Sequence, residues 1–463
     1  MPTSLLTAGS RAIQAGADIE FQDGNLRPLD LEHSDTVAVS LVGAPYIPEI
    51  RKQIGGRHRL ILGGQVLNGL VQKWTEKGVA IDGRVLALQH ESTQQFVRLF
   101  GMHAYNGNDD SEFAHALGIR PGDLPDVFHT SLIPAFEKLD DGVLRAYLSM
   151  EFSFFLSQGC KKDCSFCAAV RTSRDTAGVL RKVGEQYRHM NDGINDKLPN
   201  VVEQDLRWLT ENAESFNLQS LTLYLSNLDL FQTPSKLEQF ADIVLALKKA
   251  YPGFQFRMRG LCTTESFVGA CKDEPAVVRK MVDAGLYMLG FGIDGDPHAE
   301  DVKASIHKKF NTSENCLNAI RLSREHGITP ETLMVFGHEE DTQQTMTGAI
   351  RFAADMQDAY GAVPRPHLSK ALIPGNDGWR DPLNAELVEM RLNNQDLFYN
   401  DDFTCRASSI THPDPLRRAQ VNEAYEKMTR LERATTLPLF PREPADPELT
   451  ALHEYLNTGK YDR

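Results

Sequence analysis

Three cysteines, Cys160, Cys164 and Cys167, lie within eight residues and are spaced C-x3-C-x2-C, in a chain of 463 residues with seven cysteines. Thiolates at short spacings hold iron–sulfur clusters, and three of them would leave one iron of a four-iron cluster open to a further ligand. A structural zinc normally takes four protein ligands, and neither a fourth cysteine nor a histidine is close in sequence. Buried, inert thiols are the third alternative, which the adjacent charged residues KKD disfavour.

The cysteines directly follow the first of several predicted strands. Strand-like segments, rich in β-branched, aromatic or leucine residues, are found at 150–157, 219–226, 254–260, 286–293, 332–336 and 368–373. The segments between them have helical periodicity, as in SKLEQFADIVLALKKAYPG. Alternating strands and helices predict a parallel sheet with right-handed crossovers. Six such units predict a partial β/α barrel, an α/β fold whose ligands lie at the carboxyl ends of the strands.

The cysteine spacing, the aromatic Phe166 before the last cysteine and the preceding barrel strand together resemble the radical S-adenosylmethionine (SAM) superfamily. The resemblance implies that Cys160, Cys164 and Cys167 ligate a 4Fe-4S cluster whose open iron chelates SAM. In that superfamily the reduced cluster cleaves SAM to a 5′-deoxyadenosyl radical, which abstracts a hydrogen atom from the substrate. It therefore implies an enzyme with a small-molecule substrate and an electron donor such as flavodoxin or ferredoxin.

The same resemblance suggests SAM contacts after the second and third strands. Asn227 and Asp229 stand where the superfamily often has a glycine-glycine-glutamate motif, which is absent here, and a turn cap is the ordinary alternative for Asn227. Arg257 and Arg259 alternate to one face of the third strand. An inward arginine there could hold the SAM carboxylate, and a solvated outer arginine is the alternative for either residue.

A further candidate SAM contact, Asp294, lies in the stretch LGFGIDG. This stretch resembles the fifth-strand region of methylthiotransferases and of the superfamily branch with cobalamin-type N-terminal domains. In those proteins the sequence G-I-E-S-G is followed by a lysine, here Lys309, and by a T-x-E helix start. Aspartate replaces the glutamate in this chain, and a plain strand-to-helix turn is the alternative. His338, in the loop after the next strand, carries a weaker resemblance.

The N-terminal part is a smaller α/β unit, with predicted strands at 16–23, 35–44 and 59–64. Residues 28–70 resemble the middle of a cobalamin-binding Rossmann-type domain, but the cobalt-ligating D-x-H-x-x-G signature is absent. A degenerate domain and a working one both remain open. With cobalamin bound, radical methylation is the leading reaction. Without it, we expect a rearrangement, elimination or epimerisation initiated by hydrogen abstraction.

These patterns divide the chain into four parts. Residues 1–103 are predicted to be the Rossmann-like domain and 148–375 the radical SAM core barrel. Residues 104–147, rich in glycine, aspartate and proline, are predicted to be a linker, and 376–463 a helical C-terminal extension. The remaining four cysteines are isolated in sequence, and the roles of Cys262 and Cys405 stay open.

Charge and composition narrow the function classes. The chain has 49 Lys+Arg against 63 Asp+Glu, a formal net charge of -14, which argues against duplex DNA, RNA or anionic lipid as the main partner. It has neither a signal-peptide pattern nor a long apolar run, and its few cysteines favour a reduced, cytoplasmic compartment. A zinc-stabilised binding protein without catalytic activity is the alternative from another class.

Overall fold

A computed structural model gives the fold of the chain. The structure describes residues 3–22, 30–34, 36–40, 59–63, 81–82, 85–86, 102–105, 113–114, 117–162, 164–167, 180–183, 186–189, 195–369, 381–386 and 415–435. Among the described helices, none combines the length and the apolar character that a membrane crossing requires.

The N-terminal part contains a small parallel sheet. Helix α1 (Thr3–Gln14) precedes the strands β1 (Thr36–Ser40), β2 (Arg59–Gly63), β3 (Ile81–Asp82), β4 (Val85–Leu86) and β5 (Met102–Tyr105). The strand order β1-β2-β5 is parallel throughout, and β3 and β4 form a short antiparallel pair. The predicted strands at 35–44 and 59–64 are confirmed in part of their length. No strand is found in the described residues 16–22.

The segment predicted to be a linker, 104–147, contains packed structure. Helices α2 (Ile133–Phe136) and α3 (Asp141–Ser149) contribute buried side chains to the main core, and Phe136 stacks on Trp208 with ring centroids 5.3 Å apart. Two of its aspartates cap helical turns: Asp126 accepts a hydrogen bond from the backbone N–H of Phe128, and Asp140 accepts one from the backbone N–H of Val143. Composition alone could not separate these short, capped helices from a linker.

A six-stranded parallel sheet forms the centre of the molecule. The strands that follow α3 are β6 (Glu151–Phe154), β7 (Ser157–Gln158), β8 (Leu180–Val183), β9 (Gln186–His189), β10 (Asn195–Asp196), β11 (Ser220–Leu225), β12 (Gln255–Cys262), β13 (Leu286–Gly292), β14 (Thr329–Phe336) and β15 (Val363–Leu368). The sheet has the order β15-β14-β13-β12-β11-β6, so consecutive long strands are neighbours. The predicted partial β/α barrel is confirmed, and its sheet is not closed into a ring.

Helices cross between the strands and cover one face of the sheet. They are α4 (Pro199–Ser215), α5 (Pro234–Ala250), α6 (Thr264–Asp273), α7 (Pro275–Ala284), α8 (Glu300–Ser305), α9 (Ser313–Glu325) and α10 (Gln343–Tyr360). On α5 the helical periodicity predicts an apolar stripe, of which Leu237, Phe240, Ala241 and Val244 are buried and Leu245 is half-buried. This burial removes the apolar face of each helix from water, which is the main driving force for the layered fold.

The last strand of the sheet, β15, spans Val363–Leu368, a segment in which the sequence pattern predicts no strand. The strand predicted at 368–373 lies mostly outside the described residues. Pro364 and Pro366 argue against a strand in the sequence, because proline cannot donate a hydrogen bond to a neighbouring strand. They are tolerated because β15 is the edge strand of the sheet.

A final helix, α11 (Pro415–Ala434), packs along β15 and α10. Its first turn reaches the loop after β14, where Arg417 donates to the carbonyls of His338 and Glu339. Near its last turn Glu432 pairs with Arg365 at 2.6 Å. The helix therefore runs antiparallel to β15. The other helix predicted in this extension, at 384–399, lies mostly outside the described residues.

Candidate functional site

The cysteine loop begins just beyond the carboxyl end of β6. Cys160 and Cys164 are buried, with 4% and 7% exposure, and Cys167 is half-buried. The backbone N–H of Cys167 donates to the carbonyl of Cys164 at 3.1 Å. Burial raises the pKa of the Cys160 thiol to about 12, so a bound cation is needed to keep this group as a thiolate. Within the described residues, no group of three His, Cys, Asp or Glu side chains is arranged to hold a metal ion.

Neighbouring strand ends hold this loop from two sides. After β11, Gln232 donates from Nε2 to the carbonyl of Gly159 and accepts from the backbone N–H of Lys161. At the last residue of α8, the carbonyl of Ser305 accepts a hydrogen bond from Ser165 Oγ at 3.1 Å. The loop is thus fixed to segments that follow two different strands, as expected of a site at the carboxyl edge of a parallel sheet.

Asp294 follows β13 and forms a buried ion pair with Lys308. The backbone of Asp294 is left-handed, with φ 59°, and the Lys308 ammonium also donates to the carbonyl of Gly292 at 2.9 Å. A Cβ at position 292 would lie 2.8 Å from Lys308 Nζ, so any larger residue there would have to displace the ammonium. The sequence resemblance pointed to Lys309, which is exposed in the structure.

His338 connects Asp294 to the cysteine loop. Its Nε2 lies 3.1 Å from the carbonyl oxygen of Asp294, and its ring centroid lies 5.4 Å from that of Phe166. Burial, the largest cause, lowers the pKa of His338. The structure therefore brings together the cysteine loop, Asp294, Lys308 and His338.

The two candidates after β11 have different surroundings. Asn227 donates from Nδ2 to Ser157 Oγ at 2.8 Å, while its buried Oδ1 has no hydrogen-bond partner. Asp229 accepts from the backbone N–H and the hydroxyl of Thr263 and from Ser266 Oγ. Asp229 thus secures the N-cap of α6, and burial raises the pKa of its carboxyl group.

Arg257 and Arg259 share one face of β12, as their alternation predicts. The Arg259 guanidinium binds the Glu151 carboxylate through two hydrogen bonds of 2.5 and 2.7 Å, and it lies 3.7 Å from Glu331. Because β6 and β14 are each two strands away from β12, one side chain can reach both only if the sheet curves around it. Arg257 lies over the ring of Tyr287, 4.7 Å from its centroid.

The ion pairs inside the barrel form one chain that sequence reasoning missed. It runs from Glu151 through Arg259, Glu331 and Arg365 to Glu432. Around Glu151 the sequence alternates polar and aromatic residues, as Glu151-Phe152-Ser153-Phe154, and this local signal could have found the first member of the chain. The lumen at this level is therefore filled by paired charges, and the cysteine loop lies toward the opposite, carboxyl edge.

Comparison with known proteins identifies this fold. No protein-family model matches the sequence, and no curated protein matches it. Among solved structures, the radical S-adenosylmethionine methyltransferase TsrM from Kitasatospora setae, with cobalamin and a 4Fe-4S cluster bound, matches 81% of this chain and 74% of its own, with a TM-score of 0.52 and 13% identity. The same enzyme with tryptophan substrate and the analogue aza-SAM bound matches 79% of this chain and 70% of its own, with a TM-score of 0.51 and 14% identity. The chain therefore has the fold of radical SAM enzymes.

Proposed function

We propose that the protein is a radical SAM enzyme acting on a small-molecule substrate, with Cys160, Cys164 and Cys167 as ligands of a 4Fe-4S cluster. The observation that carries the proposal is the place of the C-x3-C-x2-C loop, at the carboxyl end of the first strand of a six-stranded parallel partial barrel. With SAM bound, such a cluster supplies the 5′-deoxyadenosyl radical for hydrogen abstraction.

The three thiols suit a 4Fe-4S cluster. Three thiols at short spacing match the ligands of a four-iron cluster with one open iron. Two of them are buried, which keeps water away, and the half-buried Cys167 leaves one side of the loop accessible. Hydrogen bonds from Gln232 to Gly159 and from Ser165 to Ser305 attach the loop to the barrel, while the three thiols are not themselves grouped to hold a metal ion in the described structure. Binding a cluster therefore requires the thiols to converge.

Asn227 and Asp294 are the SAM contacts that the surroundings favour most. The unpartnered, buried Oδ1 of Asn227 is an acceptor that suits an ammonium group. Asp294 contacts His338 and Lys308, and both of these residues lie next to the cysteine loop. Asp229 already accepts several internal hydrogen bonds, and Arg257 and Arg259 lie deeper in the barrel. We therefore propose supporting roles for these three residues.

The first test is anaerobic iron–sulfur reconstitution followed by incubation with dithionite and SAM. We expect the wild-type protein to bind about four iron and four sulfide per chain and to release 5′-deoxyadenosine, detected by mass spectrometry. Replacing Cys160, Cys164 and Cys167 together by alanine is expected to abolish both signals. Cys271→Ala is the matched control, because this half-buried cysteine is outside the loop, and it should behave like wild type.

Two outcomes contradict the proposal. The triple variant could still release 5′-deoxyadenosine, in which case the loop is not the cluster site. The purified wild-type protein could instead hold about one zinc ion per chain and take up no iron. That result would support the zinc-stabilised binding protein.

Cobalamin-dependent radical methylation is the second candidate function. The parallel three-stranded N-terminal sheet favours it, as does the likeness to a methyltransferase solved with cobalamin bound. We expect methyl-labelled SAM to transfer its label to substrate only when the protein also holds cobalamin, measured by visible absorbance. Tryptophan, the substrate bound in one of the neighbouring structures, is the first compound to try. Label transfer without cobalamin would exclude this candidate.

A further inference from the structure

Lys308 places a buried positive charge behind the cysteine loop. Its side chain is 7% exposed, as is that of its partner Asp294. The ammonium also donates to the carbonyl of Gly292. Both partners lie at or just after the end of β13, so the Lys308 ammonium is held in one place at a strand of the barrel.

The segment that contains Lys308 is docked directly on the cysteine loop. Ser165, between the second and third cysteines in sequence, donates from its backbone N–H to the carbonyl of Ile306 and from its hydroxyl to the carbonyl of Ser305. The ammonium of Lys308 lies 5.6 Å from the ring centroid of Phe166, the residue just before Cys167. The fixed charge is thus on the side of the loop that carries the second and third thiols.

Lys308 remains charged in this environment. Burial by itself would lower its pKa, but the attraction of the Asp294 carboxylate and of Cys164 and Cys167 as thiolates raises it by more, so the net direction is upward. His338, the other ionisable ring at this position, has its pKa lowered by burial and adds no positive charge at neutral pH.

We propose that the positive charge of Lys308 raises the reduction potential of the cluster. The carboxylate of Asp294, which pairs with Lys308, limits the size of this effect. The inference rests on the proposed function, because it requires a cluster at the three cysteines. One-electron reduction by an external donor adds a negative charge to the site, and net charge is among the factors that set cluster potentials. A nearby fixed cation offsets the added charge, and a buried carboxylate that pairs with the cation weakens this effect.

The test is a redox titration of the reconstituted cluster without SAM, followed by electron paramagnetic resonance. For Lys308→Met we expect a more negative potential, with about a tenfold lower ratio of reduced to oxidised cluster at the wild-type midpoint, which is about 59 mV for one electron. Asp294→Asn should move the potential in the opposite direction, since it leaves the lysine charge less compensated. Lys309→Met, at the exposed neighbouring lysine, is the matched control and should leave the potential unchanged.

The outcomes separate this inference from the proposed function. Failure of the wild-type protein to assemble a cluster would refute the proposed function itself. A cluster whose potential is equal in wild type, Lys308→Met and Asp294→Asn would leave the proposed function intact and overturn the role of Lys308. If Lys308→Met cannot hold a cluster, the variants Lys308→Arg and Asp294→Asn decide whether the charge of Lys308 sets the potential. The arginine variant must keep the wild-type potential and the asparagine variant must raise it, and any other result counts against the proposal.

Discussion

Replacing Glu331 by glutamine is expected to lower the free energy of unfolding by about 3 kcal/mol. Glu331 is 2% exposed and lies inside the barrel, where its carboxylate pairs with Arg365 at 2.7 Å and Arg259 at 3.7 Å. Glutamine preserves the shape but removes the charge that both guanidinium groups need. The loss is at the lower end of the range for buried pairs, because each arginine keeps one other carboxylate, Glu151 or Glu432. Urea unfolding followed by circular dichroism measures the change.

A matched control for this variant is available on the surface. Glu423→Gln breaks the exposed pair with Lys427 on α11, and solvent screening should make its effect undetectable. If Glu331→Gln were as stable as this control, the ion pairs inside the barrel would contribute no stability. The expectation that these ion pairs stabilise the fold would then have to be abandoned.

Asp205→Asn is expected to cause the other large loss of stability, about 3–5 kcal/mol. Asp205 and Lys197 are 0% and 2% exposed in their side chains and lie 2.5 Å apart. The same carboxylate accepts hydrogen bonds from the hydroxyl of Ser131 and the backbone N–H of Leu132. Substitution therefore leaves a buried ammonium without its counter-charge and also weakens the attachment of the segment before α2. Thermal unfolding measures the first effect, and faster amide exchange at 131–136 measures the second.

The double variant Lys197→Met/Asp205→Leu tests whether the loss of stability comes from the isolated Lys197 ammonium. Removing both partners of a buried pair avoids the isolated charge, and apolar replacements of similar volume are often nearly neutral. We expect the double variant to be more stable than Asp205→Asn. A double variant that is less stable than Asp205→Asn would show that the pair, together with the hydrogen bonds that Asp205 accepts from Ser131 and Leu132, contributes the stability. The isolated ammonium could then not be the main cause of the loss.

The parts of the fold that the sequence predicted correctly depend on short-range patterns. The cysteine spacing and the alternation of strands and helices are visible within windows of about 20 residues, so the barrel and the place of its loop could be predicted. The alternation of Arg257 and Arg259 correctly placed both on one face. The strand at 363–368 was not predicted, because Pro364 and Pro366 conceal an edge strand.

What sequence reasoning missed depends on contacts between distant residues. Arg259 pairs with Glu151, 108 positions away, and no local pattern specifies such a partner. Lys308 and Lys309 are adjacent in sequence, yet only the fold decides which is buried beside Asp294. The same holds for the unpartnered oxygen of Asn227, since a turn cap and a ligand contact look identical in sequence.

The chain of ion pairs inside the barrel also has a consequence for synthesis on the ribosome. Its members emerge in the order Glu151, Arg259, Glu331, Arg365 and Glu432, so that negative and positive charges alternate from the N-terminus to the C-terminus. At every stage of translation, the part of this set already made carries at most a single uncompensated charge. The barrel therefore never has to bury two of these like charges together before an opposite charge from the same set has been made.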